Sequence, residues 1–416
     1  MATMIEAQPG TTFPIAKADL CVKCGLCLPH CPTYQETRNE ADSPRGRIAL
    51  MQGLAGHAVD WSPRLRDHLE GCLGCRSCER VCPATVPYGE LIDAGRALLR
   101  QRDAGASWLT RALSPWLVSR RRRRIARGLL QLYRYSGLQS FLGALGAPRW
   151  PGVGRWLSLV PRADRPIPVA SHAAARRGRR VQLFRGCVGD IADTATLHTI
   201  HDLLERCGFT VDEPEAQTCC GALHQHAGEP RAAASLCRAN IAAFQGDDTV
   251  LYAASGCGAT LREYGLIEGS DDARRFAARV HDPHRFLVEH WPEHVALRPL
   301  AARVAVHLPC TQRNVTGGGD AIMQLLGKIP QLTCEALDAQ HGCCGAAGTY
   351  FLSQPEMADR LLEHKLDALA ASRPDYLVSS NIGCTLHIAA GLRRRGLNVP
   401  VLHPLALLAR QWPSDT

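Results

Sequence analysis

The sequence predicts an α+β protein in three parts: an α-helical N-terminal domain over residues 1–100, a basic helical linker over 101–180, and a duplicated α/β domain over 181–416. Three observations predict it. Eight of the 19 cysteines fall in two similar runs before residue 100, none falls in 101–180, and the other eleven recur beyond 181 in an internal repeat. At 416 residues and 46% hydrophobic content the chain has apolar material for more than one core. No stretch of about 18 apolar residues is free of charge, so no membrane-spanning helix is predicted. Met1–Phe13 has neither the basic head nor the apolar stretch of a secretory signal.

The first run is Cys21-x-x-Cys24-x-x-Cys27-x-x-x-Cys31-Pro32, and the second is Cys72-x-x-Cys75-x-x-Cys78-x-x-x-Cys82-Pro83. Such tight spacing suits metal-bound thiolates in a reducing compartment better than several disulfides, which need compatible Cα separations. Three close thiolates in a turn can hold three irons of one cube, and in this motif the fourth reaches the other cluster. The expectation is therefore a ferredoxin-type domain with two [4Fe–4S] clusters. Cys21, Cys24, Cys27 and Cys82 would hold one, and Cys72, Cys75, Cys78 and Cys31 the other. Two structural zinc ions are the rival, but zinc sites favour two separated cysteine pairs.

The linker is set apart by charge. From Arg100 to Arg180 there are 18 Lys and Arg against two acids, Asp103 and Asp164, a local net of +16 where the whole chain carries +9. Trp108, Leu109, Ala112, Leu113, Trp116 and Leu117 form an apolar stripe interrupted by Pro115, and Arg120–Arg124 and Arg127 follow. A basic amphipathic segment with tryptophan suits an anionic membrane surface or an acidic partner subunit. No recognisable nucleic-acid-binding fold or aromatic platform accompanies the arginines, so nucleic acid is not expected.

The repeat spans about 181–295 and 304–416. Cys187 corresponds to Cys310, Cys219-Cys220-Gly221 to Cys343-Cys344-Gly345, and Cys257 to Cys384, at offsets of 123, 124 and 127 residues. In each half a β-rich run (Val181–Phe184; Val304–His307) ends just before a cysteine, and a helix follows, with Leu197, Ile200, Leu203 and Leu204 at helical spacing in the first. A second helix (Ala232–Phe244; Met357–Leu369) and a strand (Thr249–Ala253; Tyr376–Ser379) then lead to the last cysteine. Strand–helix alternation predicts a mainly parallel sheet, with the cysteines beyond its carboxyl ends, where such sheets bind ligands.

Two candidate sites result: Cys187, Cys219, Cys220 and Cys257, and Cys310, Cys343, Cys344 and Cys384. Adjacent cysteines diverge and suit two irons of a larger cluster. Gly221 and Gly345, lacking side chains, let backbone N–H groups approach the sulfurs. A further iron–sulfur cluster, zinc and a redox dithiol all stay open here.

Together the cysteine doublet, the basic linker and the paired Cys-Cys-Gly halves resemble the iron–sulfur subunits of bacterial glycolate oxidase, within a wider family of heterodisulfide reductase B-like proteins. The resemblance covers nearly the whole chain. It rests also on Cys31-Pro32-Thr33-Tyr34, Pro44-Arg45-Gly46-Arg47, Ser255-Gly256-Cys257-Gly258-Ala259, Cys343-Cys344-Gly345-Ala346-Ala347-Gly348-Thr349-Tyr350 and Asn381-Ile382-Gly383-Cys384. It implies a non-flavin subunit of a glycolate dehydrogenase, inactive alone, that passes electrons from an FAD-containing partner toward quinone, peripherally on the inner face of the cell inner membrane. D-Lactate or glycerol-3-phosphate dehydrogenase, or disulfide reduction at the Cys-Cys-Gly centre, are the alternatives. The wider family's motif closes with Cys-x-x-Cys, whereas Thr260 and His387 stand at the last positions here. His387 is read as a pocket residue or a nitrogen ligand. Gly317-Gly318-Gly319 is no dinucleotide fingerprint.

Weaker signals complete the reading. Arg45 and Arg47 lie between the runs and would either tune a cluster or be solvated. His224 and His226 would relay protons or have no role. Cys207, Cys237 and Cys334 are expected to pack in the core.

Overall fold

The computed structural model describes residues 13–102, 108–147, 150, 153–161, 179–337 and 342–413. The reading of residues 1–12 as lacking an export signal, and the linker residues 162–178, lie outside them.

The N-terminal region is helical because its segments open on capped prolines. Ser43 accepts from Gly46 N–H ahead of helix Pro44–Ala55, and Ser62 from Leu65 N–H ahead of Pro63–Glu70. With helix Tyr88–Arg102 these bury Ile48, Met51, Leu54, Leu69, Leu91 and Ile92 in one small core. Cys21, Cys27 and Cys82 pack on its edge.

Each repeat forms its own four-stranded parallel sheet. The first half contains β1 (Arg180–Phe184), β2 (Thr210–Asp212), β3 (Thr249–Tyr252) and β4 (Val280–His281) in the order β2-β1-β3-β4. The second contains β5 (Ala302–His307), β6 (Leu332–Ala336), β7 (Tyr376–Ser379) and β8 (Val401–Leu402) in the order β6-β5-β7-β8. Topology is thus duplicated along with the cysteines. In register, Val181 lies between Val211 and Thr249, and Val304 between Cys334 and Tyr376.

The halves share a core. Val181, Leu183 and Leu251 join Val304, Val306 and Val378, and Leu197, Ile200, Leu203 and Leu204 of helix Thr194–Arg206 close over it. Cys237 is fully buried in helix Pro230–Ala243, Cys207 caps helix Thr194–Arg206, and Cys334 lies in β6.

The linker forms helices Trp108–Val118, Arg120–Tyr135, Leu138–Ala144 and Gly154–Leu159, with Pro115 inside the first. The stripe expected to meet a membrane or a partner subunit is split: Ala112 and Trp116 stay exposed while its leucines turn inward. Leu109 and Leu117 are buried, and Leu113, Leu117 and Val118 pack in the core of the first half. The reason is that protein and lipid satisfy the same apolar periodicity, and here a protein face is adjacent. Arg123 is buried as well, bonded to Asp190, to Gln217 O and to the carbonyls of Leu117 and Val118. Beyond Trp116, further exposed apolar residues follow: Ile125, Leu129, Leu132 and Tyr135 run along one helix face, and Leu138, Phe141, Leu145 and Trp150 continue the surface.

Candidate metal centres

All 19 cysteines are free thiols. In the N-terminal domain the fourth cysteine of the first run leaves its own loop. Cys31 lies with Cys72, Cys75 and Cys78 along one small cavity, and its charge is felt by Cys75 and Cys78. Burial, together with the neighbouring thiols, pushes Cys75 and Cys78 well above the usual thiol range. Four sulfurs that crowd one cavity and raise the pKa of its buried thiols fit a cation-rich group that neutralises them as thiolates. Donors face them: Gly74 N–H at 3.4 Å and the Tyr88 hydroxyl at 3.6 Å both point at Cys72 Sγ. Cys24 is exposed on the outer edge, in the same loop as the half-buried Cys21 and Cys27.

Both arginines between the runs are in use. Arg45 donates to Lys23 O at 2.8 Å, inside the first loop, and pairs with Glu40. Arg47 is only 1% exposed and bonds Thr33 Oγ1, His68 O and Asp42. Despite burial, which opposes its charge, the sulfurs of Cys72 and Cys31 and the Tyr88 oxygen hold the guanidinium firmly protonated. A fixed positive charge therefore sits beside Cys31 and Cys72, where it favours added negative charge.

In the duplicated domain the cysteines follow the carboxyl ends of the strands. Cys187 opens helix Cys187–Ala192 after β1, and Cys257 lies in the first turn of helix Ser255–Arg262 after β3. Cys310 and Cys384 occupy the same places after β5 and β7. Cys219, Cys220, Cys343, Cys344 and Cys384 are each 2–3% exposed.

In the first half Cys187 Sγ donates a hydrogen bond to Cys219 Sγ at 3.6 Å. The hydrogen bond from Cys187 holds Cys219 well below the thiol range and raises Cys187 in turn. Three arginines converge next to this site. Arg123 Nε (3.1 Å), Arg127 (2.5 Å) and Arg185 Nε (3.3 Å) all bond the Asp190 carboxylate, three residues after Cys187.

In the second half Gly345 N–H approaches Cys343 Sγ at 3.4 Å and the Asn381 amide approaches Cys384 Sγ at 3.3 Å. Gly345 (φ +82°) is demanded twice, because a Cβ there would lie 2.5 Å from Ala358 O. Gly221 (φ +95°) has more room, 3.4 Å to Ala233 O.

The groups also adjoin one another. Cys75 and Cys310 both pack against one buried cluster that includes Leu73, Cys343 and Tyr350, and burial, then the charge of Cys310, pushes Cys75 up. Asn314 Nδ2 bonds Cys75 O at 2.7 Å and Tyr350 bonds Gly71 O at 3.1 Å, fastening the second run to the second half. Asn381, beside Cys384, accepts from Gly256 N–H at 3.3 Å, next to Cys257 of the first half. The second run thus adjoins the second half through Cys75 and Cys310 and the first half through the Arg76–Glu263 ion pair, and the two halves meet at Asn381.

The histidines singled out by sequence have protein partners. His224 joins Glu229 (2.5 Å) and Ser114 (2.8 Å), and His226 joins Asp93 at 3.0 Å. His387 stacks on Phe351 and its Nε2 faces Ala358 O at 3.4 Å; burial takes its pKa down to about 4. It is a pocket residue. Thr260 bonds back to Gly256 O within its own helix. Sequence reasoning missed His307, which lies within 4.8 Å of Cys344 and Cys384. The signal was present in the repeat: the equivalent residue of the first half is Phe184.

Comparison with known proteins agrees with this geometry. Residues 17–86 match the 4Fe-4S dicluster domain, and residues 181–262 and 304–389 each match the cysteine-rich domain family. The chain is 34% identical over 400 residues to the probable glycolate oxidase iron-sulfur subunit of Bacillus subtilis, covering 91% of this chain and 90% of that one. It is 32% identical to the glycolate oxidase iron-sulfur subunit of Escherichia coli, covering 90% of each. Lactate utilization protein A of Geobacillus kaustophilus is 31% identical over 54% of this chain and 96% of its own length. With cysteines, domains and near full-length identity in agreement, the chain belongs to the family of glycolate oxidase iron–sulfur subunits.

Proposed function

We propose that this chain is the electron-transfer subunit of a glycolate (2-hydroxy acid) dehydrogenase complex, receiving electrons from a partner FAD subunit and delivering them toward a quinone. Cys21, Cys24, Cys27 and Cys82 are assigned to one [4Fe–4S] cluster, and Cys72, Cys75, Cys78 and Cys31 to the second. The two Cys-Cys-Gly quartets are assigned to one or more further metal centres. The division at 1–100, 101–180 and 181–416 follows from these roles. Iron–sulfur clusters bound in these places supply one-electron transfer, matching a two-electron flavin to single-electron steps.

The observation that carries this reading is the adjacency of the cysteine groups, Cys75 beside Cys310 and Asn381 bridging to Gly256, which supports the order first run, second run, second half, first half. The protein's own part is to hold these groups dry and close. Arg47 and Arg45 fix the N-terminal loops, and Tyr350 and Asn314 lock them to the second half. Disulfide reduction at the Cys-Cys-Gly centres is disfavoured, because the adjacent pairs Cys219-Cys220 and Cys343-Cys344 are only 2–3% exposed and closed to a disulfide substrate. Lactate is the second reading, favoured by the half-length likeness to lactate utilization protein A.

No helix among the described residues is long and apolar enough to cross a membrane. Peripheral attachment at the cytoplasmic face of the inner membrane is assigned to the later linker surface. There Arg121, Arg122 and Arg124 are exposed beside Ile125, Leu129, Leu132 and Phe141. The buried Leu109 and Leu117 are not part of it.

The test is reconstitution. The purified chain mixed with its flavin subunit should reduce a soluble quinone with glycolate as donor, and neither protein should do so alone. Quinone reduction by the flavin subunit without this chain would sink the proposal. Vesicles containing anionic lipid should bind the wild type and release the triple variant Arg121→Glu, Arg122→Glu, Arg124→Glu; equal binding would leave partner docking as the linker's role.

A further inference from the structure

The two Cys-Cys-Gly halves share one topology, yet at the end of the first strand of each they carry different chemistry. Phe184 is fully buried in the first half, packed with Phe244 at 5.8 Å and with the core that holds Cys187, Cys219 and Cys220. At the matching position the second half has His307, 2% exposed. Its Nδ1 meets Ser379 Oγ at 3.1 Å. Its Nε2 has no hydrogen-bond partner among the described residues. A buried imidazole nitrogen without a partner is costly, and such atoms call for an explanation.

The explanation is the neighbourhood of that nitrogen. His307, Cys344 and Cys384 each bring one donor atom to a site where all three lie within 4.8 Å of one another, and all three residues are buried. Three points with that greatest separation fit on a circle of radius no more than about 2.8 Å. Metal–thiolate and metal–imidazole bonds run about 2.3 and 2.0 Å, so modest tightening puts all three on one ion.

The surroundings also resemble an outer coordination shell. Ser379 holds the far ring nitrogen, which orients the imidazole and fixes which nitrogen is free, and Asn381 donates to Cys384 Sγ at 3.3 Å. The second quartet is one chain of contacting thiols, Cys310–Cys343–Cys344–Cys384, with its Cys310 end beside Cys75 and its Cys384 end beside His307.

We infer that His307 Nε2, Cys344 and Cys384 ligate a common metal ion, making the second half a thiolate–imidazole centre where the first is all-thiolate. The donor set suits ferrous iron, including one iron of a larger cluster, or zinc. This inference rests on reading the second half as a metal centre, but not on the identity of the substrate.

The test uses the full chain purified without oxygen, in four forms: wild type, Cys384→Ser, His307→Phe (copying the first half) and His307→Cys. Iron and zinc are counted per chain, and X-ray absorption at both edges reads the ligands. Cys384→Ser should lose about one metal ion or more, since a tetrahedral site missing a thiolate binds far more weakly. His307→Phe should lose the same metal while keeping the electron paramagnetic resonance signals of the N-terminal clusters. His307→Cys should keep the metal but lose the imidazole scattering seen in the wild type. If Cys384→Ser loses nothing, the second half is no metal centre and the broader reading fails. If Cys384→Ser loses metal but His307→Phe keeps the wild-type content, the inference about His307 alone is overturned. Should His307→Phe fold poorly, His307→Cys decides: an absorption spectrum identical to the wild type overturns the inference.

Discussion

The two Cys-Cys-Gly halves have the same strand order, the same cysteine positions and one shared core, and they differ in what surrounds the metal positions. Both halves touch the linker and the N-terminal domain, the first through Arg123–Asp190 and Asp93–His226, the second through Arg155–Asp359 and Cys75 O–Asn314. In the first half Asp190, three residues beyond Cys187, gathers Arg123, Arg127 and Arg185. In the second half the residue matching Asp190 is Arg313, near Cys310, Cys343 and Cys75. One position thus carries opposite charge in the two copies, and another exchanges Phe184 for His307. The scaffold and the sulfurs recur in both copies; the residues beside the sulfurs do not.

If the halves occupy successive places in one row, removing either should stop transfer, but only one should disturb the N-terminal clusters. Cys310→Ser and Cys187→Ser should each lower quinone reduction at least about 100-fold, the scale of a lost essential step. Cys310→Ser should in addition alter the paramagnetic spectrum of the reduced N-terminal clusters, because Cys310 adjoins Cys75. An unaltered spectrum in Cys310→Ser, or an altered one in Cys187→Ser, would reverse the order proposed.

A second contrast concerns stability. Asp190→Asn leaves the buried Arg123 without a full charge partner and should cost about 3 kcal/mol, seen as a lower denaturant midpoint of the holo chain. Arg313→Gln, which gives up one bond to Leu308 O at 3.3 Å, should cost about 1 kcal/mol. Equal costs would mean that the linker is not anchored through Asp190.

The glycines of the two motifs should also separate. Both require positive φ, which costs alanine about 1–2 kcal/mol. Gly345→Ala adds a 2.5 Å clash with the Ala358 carbonyl, whereas Gly221→Ala meets Ala233 O at 3.4 Å. Thermal melting should therefore rank Gly345→Ala well below Gly221→Ala.

The smallest effect is a pH dependence where the first half meets helix Tyr88–Arg102. Burial opposes charge on His226, but Asp93 outweighs it and raises the imidazole pKa; Asp93 is correspondingly lowered. The pair's stabilisation is complete below the ordinary histidine value and is lost as pH rises through the raised one. On the acid side it is lost as pH falls through Asp93's depressed value. Because His226 is half exposed the effect should stay under about 1 kcal/mol. His226→Asn should flatten the pH profile of hydrogen exchange in helix Ala222–His226; an unchanged profile would remove the ion pair from the account.

Much of this was legible in the sequence. The eight N-terminal cysteines, the repeat and the strands β1, β3, β5 and β7 each have local signatures: fixed spacing, recurrence, and apolar runs buried on both faces. The two-residue strands β4 and β8 have no such pattern, since pairing with a neighbour alone defines them. The inward turn of Leu109 and Leu117 was illegible because helical amphipathicity does not say what the apolar face meets. Asp190 gave no sign of its role, as two of its arginine partners lie 63 and 67 residues away. The adjacency of Cys75 and Cys310 is likewise a property of the tertiary fold.

The most direct test of the central claim is iron and acid-labile sulfide analysis of the anaerobically purified full chain, with electron paramagnetic resonance of the reduced form. The account predicts about eight irons or more per chain, and signals of two clusters close enough to interact. Fewer than about eight irons, or zinc in place of iron at the N-terminal cysteines, would contradict it.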